Sequence, residues 1–166
     1  MSIWRNLPLK AKIGAVLFGL FVLAATSNPE AESIQKAVVA SGPRAGATVA
    51  RAIIEDVTSF NQAQPAHAFG SVGLVLGATL DLGSFGIDTA SRAGGSHVHN
   101  PLPVLAPGFG HQGAKVQDVA RLFGSLADGV IVSESRGLLN AGPDGLADAI
   151  DTRAGEIRAA EGDARR

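Results

Sequence analysis

Short apolar runs alternate with polar or glycine-rich breaks along this chain. Residues 19–25 (GLFVLAA) are continuously apolar and end in Thr26, Ser27, Asn28 and Pro29. Residues 71–76 (SVGLVL), 102–106 (LPVLA) and 129–132 (GVIV) repeat the pattern, each closed by a polar or glycine-rich stretch. Apolar runs of this length without alternation predict strands covered on both faces, near residues 20–25, 71–76, 102–106 and 129–132. Helical spacing fills the intervals. Residues 48–61 place Val49, Ile53, Val57 and Phe60 on one stripe, with Arg51, Glu55 and Asp56 elsewhere. Residues 33–40 have mixed helical spacing before Gly42 and Pro43 break the chain. Residues 116–123 predict a short amphipathic helix, and 146–160 a helix whose Leu146, Ile150 and Ile157 share a face. Residues 80–101, rich in Gly, Ser and Asp, read as loop.

Strands that alternate with helices predict an α/β fold of four parallel βα units, with the strand C-termini on one side. In such sheets ligands bind at those C-terminal ends. The loops at 26–30, 77–80, 107–113 and 133–137 are therefore the candidates.

Composition narrows the chemistry. The 166 residues suit one domain, and 46% hydrophobic against 17% charged residues argues against disorder. A net charge of −1 offers no basic face, so no nucleic-acid partner is expected. The absence of cysteine excludes disulfides, thiolate catalysis and Cys-ligated zinc. The 21 glycines, roughly twice average usage, suit a backbone that approaches a ligand closely. The N-terminus has two readings. Residues 1–12 carry Arg5, Lys10 and Lys12 without an acid, and the 13 apolar residues from Ile13 to Ala25 lead into small residues, like a secretory signal peptide. The run is short of the roughly 20 residues of a membrane span. The competing reading is a buried strand at residues 20–25.

Residues 107–113 (PGFGHQG) form a glycine-rich loop opening a helix, where backbone N–H groups favour an anion such as phosphate. Gln112 adds an amide donor, and a plain strand-to-helix connection is the other reading. Arg136, after a buried strand, can grip phosphate bidentately or pair with Glu134 or Asp128 on the surface. Ser27 can hydrogen-bond a small ligand or serve as a turn or cap residue. His97 and His99 are neighbouring imidazoles with no clear third ligand, so no metal site is assigned.

Four strings stand in order: GLFVLAATSNPEAESIQ, GSVGLVLGAT, PVLAPGFGHQG and VSESRGLLNAGPDG. On them the chain, from Gly19 to about Ile157, resembles the C-terminal half of the orotidine 5′-phosphate decarboxylase family, in the branch of actinobacteria and other bacteria. The resemblance implies a partial (β/α)8 TIM barrel whose four parallel βα units correspond to strands five to eight. It divides the chain into an unmatched segment at 1–18, the half-barrel at 19–160 and a tail at 161–166. It implies decarboxylation of orotidine monophosphate to uridine monophosphate (OMP to UMP) without a cofactor, in the cytoplasm. Ser27 falls where the family contacts the pyrimidine, Gln112 where a glutamine bridges pyrimidine and phosphate, and Arg136 where an arginine holds the phosphate. Gly108, Gly110 and Gly113 belong to the phosphate loop. The family's catalytic array is a motif of the form Asp-x-Lys-Arg-Gly-Asp. That string is absent, and Lys10, Lys12, Lys36 and Lys115 have other neighbours, so no residue here is assigned as catalytic. The expectation is a fragment that self-associates or pairs with a missing N-terminal half. Two further readings stand beside it: a non-catalytic half-barrel that binds a phosphorylated ligand, and a membrane-associated or exported protein using residues 1–25.

Overall fold

The computed structural model describes residues 21–26, 31–65, 69–90 and 100–164. Ser27, His97, His99 and residues 1–20 lie outside them. Four strands form one parallel sheet in chain order: β1 (Phe21–Thr26), β2 (Val72–Leu76), β3 (Val104–Pro107) and β4 (Val130–Ser133). Phe21 lies opposite Val72, Leu74 opposite Val104, and Val104 opposite Val130, so all four strands end on the same side. Each strand begins one or two residues later than its apolar run predicts. At β3 the reason is chemical. Pro103 has no N–H for a ladder, although its carbonyl accepts the Leu74 N–H at 2.9 Å.

Burial follows position in the sheet. Leu74 and Leu76 of β2 and Val104 and Ala106 of β3 are completely buried. β4 is an edge strand, and its Ile131 is 38% exposed. Inner strands of a parallel sheet are covered on both faces, and an edge strand is not. Among the described residues no strand pairs with the outer edge of β1 or β4.

The helices depart further from expectation. α1 (Glu32–Lys36) is five residues long. Ala37 leaves the helix at φ −59°, ψ 144°, and Val38 then bridges antiparallel to Thr48. α2 (Val49–Gln62) is capped by Thr48, whose hydroxyl accepts the Arg51 N–H at 3.1 Å and donates to the Phe85 carbonyl. The stripe of Val49, Ile53, Val57 and Phe60 is turned from its predicted face. Ala50, Ala52, Val57 and Asn61 are buried, Ile53 and Ile54 half-buried, and Phe60 is 50% exposed.

The segment read as loop from 80 to 101 carries core. Asp81 caps a 3₁₀ turn at Leu82–Phe85 by accepting the Gly83 N–H, and Leu82, Phe85 and Ile87 are buried. The helix expected at 116–123 is split into a 3₁₀ turn, Val116–Asp118, and α3 (Val119–Phe123). α4 (Arg136–Leu139) is followed by α5 (Gly142–Ala164), which is longer than the expected 146–160 and runs into the supposed tail. On α5, Ile157 packs against the core while Ile150 is largely exposed. No described helix is long and apolar enough to cross a membrane.

Candidate functional site

The site is built where β3 and β4 end. Beyond β3 the chain is held close to the segment after β2, because the Ala78 N–H donates to the Pro107 carbonyl at 2.8 Å. Gly108 has φ +118°, and a Cβ there would press on Thr79 and the Ala78 nitrogen. Phe109 then drops into the core and packs against Phe123, with ring centroids 6.5 Å apart. That anchor leaves residues 110–113 free to turn outward. The turn is closed by three backbone bonds: Gly110 N–H to Ala114 O at 2.9 Å, Ala114 N–H to Gly108 O at 3.1 Å, and Gly113 N–H to Gly110 O at 2.9 Å. Gly110, His111 and Gln112 form a 3₁₀ turn, and Gln112 is exposed on it.

Beyond β4 come Glu134 and Ser135, and then Arg136 opens α4. Arg136 is exposed and starts a helix rather than lying in a loop. It pairs with neither Glu134 nor Asp128. Glu134 is taken instead by Arg153 of α5, with Nε 2.8 Å from Oε2 and Nη2 donating to Oε1 at 3.3 Å. The Glu134 carboxylate lies against both Gly110 and Gly137, and a side chain at either glycine would collide with it. The Gly108, Gly110 and Gly113 turn and the start of α4 therefore meet through Glu134. Gln112, two residues beyond Gly110, and Arg136, immediately before Gly137, stand on adjoining turns. Ser27 falls outside the described residues, one position beyond the end of β1.

Glu134 and Arg153 escaped the sequence reading as site residues. Nineteen positions separate them, and no local spacing marks the pair. A cleft of about 350 Å³ lies alongside, between Thr79 and Asp81 after β2 and Gly113, Asp118 and Arg121 after β3. Lys36 is engaged with Glu32 at 2.6 Å and sits 4.7 Å above the Phe85 ring. Lys115 is exposed beside the glycine turn. Among the described residues no group of three side chains could hold a metal ion, and His97 and His99 lie beyond them.

No family model matches the chain. Individual relatives do. An orotidine 5′-phosphate decarboxylase of Salinispora arenicola is 45% identical over 127 residues, 76% of this chain and 40% of the relative. That of Streptomyces coelicolor is 41% identical over 145 residues, 86% of this chain and 46% of the relative. That of Myxococcus xanthus is 36% identical over 124 residues, 75% and 39% of the two chains. Among solved structures, a Leishmania donovani UMP synthase superposes with a TM-score of 0.51 at 26% identity, covering 92% of this chain and 30% of that one. The chain thus spans less than half the length of each of these relatives.

Proposed function

Since this chain belongs to the orotidine 5′-phosphate decarboxylase family over the part that it spans, we propose that it supplies the phosphate-gripping half of such an enzyme. In this reading its four βα units are strands five to eight of a (β/α)8 barrel. Their parallel order and common C-terminal end support the assignment. The observation that carries the function is the meeting of the glycine turn with the start of α4 at Glu134, which sets Gln112 and Arg136 on adjoining turns. A guanidinium and an amide there suit a phosphate monoester, and Gly108, Gly110 and Gly113 shape the turn beside it, the Gly110 and Gly113 N–H groups being engaged within that turn. Ser27, the residue after β1 in the sequence, is assigned to the pyrimidine by the family resemblance alone.

The substrate of this reading is OMP and the product UMP. The bond from the pyrimidine carbon to its carboxylate breaks, carbon dioxide leaves, and the electron pair left on that carbon takes up a proton. An ammonium oriented by carboxylates is needed to stabilise that charge and deliver the proton. Phosphate contacts lend binding energy to the remote reacting centre but transfer no proton. Lys36 is committed to Glu32, and no Asp-x-Lys-Arg-Gly-Asp string surrounds any lysine. The chain is thus a binding half whose chemistry comes from a second, N-terminal half carrying that motif, and the pair would work in the cytoplasm.

Calorimetric titration with UMP and with uridine tests the reading, because the difference between the two isolates the phosphate. UMP is expected to bind more tightly. Arg136→Ala should weaken UMP by about tenfold or more, the worth of a charge-assisted contact, and leave uridine unchanged. Equal affinities for UMP and uridine would overturn the proposal.

A further inference from the structure

We propose that Glu134 is the positioning residue of the anion site and Arg153 its counter-charge, an inference that rests on the reading of Gln112 and Arg136 as phosphate ligands. Glu134 is an unexpected side chain for such a place. It stands two residues before Arg136, its side chain is only 3% exposed, and it carries negative charge beside a site meant for an anion. A buried carboxylate is costly unless a cation faces it. Arg153 supplies that cation from the middle of α5 and is itself shared with Glu156. The contact is more electrostatic than directional. Nε and Oε2 lie 2.8 Å apart without an aligned hydrogen bond, and the aligned bond runs from Nη2 to Oε1.

Shape gives Glu134 its positioning role. The carboxylate fills the space that a Cβ on Gly110 or on Gly137 would need, so it acts as the spacer between the two turns. Charge gives Arg153 its role. With the pair intact the site sees no net charge from it. Removing Glu134 takes away a negative charge and leaves Arg153 to Glu156, removing Arg153 leaves the buried carboxylate unpaired, and the two removals act on a bound phosphate with opposite sign. That opposition separates a tuned site from a pair that only holds the fold together.

The test titrates the full chain with UMP and uridine and reads the ratio of the two affinities. Glu134→Gln keeps the spacer and removes its negative charge from beside the phosphate, leaving Arg153 to Glu156 alone, so the ratio should rise several-fold. Arg153→Gln leaves the carboxylate uncompensated, and the ratio should fall about tenfold, the scale of one charge acting through near-surface screening. The double variant should return close to the parent. If Arg153→Gln fails to fold, Arg153→Lys keeps the charge and should bind like the parent, and a loss there overturns the proposal. So does any result in which Glu134→Gln and Arg153→Gln shift the ratio in the same direction, or leave it unmoved while Arg136→Ala lowers it. If Arg136→Ala also leaves the ratio unmoved, or the parent shows no preference for UMP, the phosphate reading itself fails and this inference falls with it.

Discussion

The side-chain amides of Asn61 and Asn100 tie the end of α2 to the start of β2 and to the segment before β3. The Asn61 amide donates to the Val72 carbonyl at 2.8 Å, and its oxygen accepts the Val72 N–H at 3.1 Å, as a neighbouring strand would. Asn100, at φ +55°, donates to the carbonyls of Asn61, Gln64 and Pro65 at the end of α2. Asn tolerates that left-handed backbone better than most residues, because its short polar side chain bonds locally. Asn61→Ala would leave both polar groups of Val72 without these partners. The expected loss is about 1–3 kcal/mol of stability, measured by denaturant unfolding. An unchanged midpoint would show that water replaces the amide at no cost.

At the scale of the element, α2 shows how the inward face is chosen. Phe60 and Asn61 are adjacent, and either completes a helical stripe with Val57. Hydrophobicity favours Phe60, yet Asn61 is the buried one because its amide serves Val72. Val57→Ala should therefore cost about 2 kcal/mol. Phe60→Ala, at a half-exposed position, should cost less than about 1 kcal/mol. Thermal melts of the two variants decide, and the reverse order would restore the predicted stripe. β4 poses the opposite case, an apolar strand at an edge with Ile131 outward. Unpaired parallel edges recruit other strands, and a charge blunts them. Ile131→Lys is expected to lower self-association in sedimentation velocity while leaving the melting temperature within the small range of surface changes.

For the whole molecule, two sheet edges without a described partner and an apolar strand at one of them lead us to expect an assembling chain. The expected product is a dimer or larger species at micromolar concentration, and a monodisperse monomer would count against it. With OMP the purified chain should show no turnover above background. A separately produced N-terminal half carrying the Lys/Asp motif should restore some, and turnover by the chain alone would redirect attention to Lys36, Lys115 and the histidines.

The order of elements was determined by the sequence itself. Each strand is one uninterrupted apolar run, and each glycine or proline break is local, so the period along the chain was enough to place β1 to β4 and the turns after them. Gln112 and Arg136 were proposed on the same ground, each lying in the segment that follows a strand, five residues beyond β3 and three beyond β4. Tertiary structure decided the rest. It chose Asn61 over Phe60 for the core and drew Leu82, Phe85 and Ile87 out of a segment that reads as loop. It also set Glu134 against Arg153, Gly110 and Gly137. Those contacts join residues distant along the chain. What selects them is the space between packed elements and the need to pair a buried polar group, neither of which has a local period in the sequence.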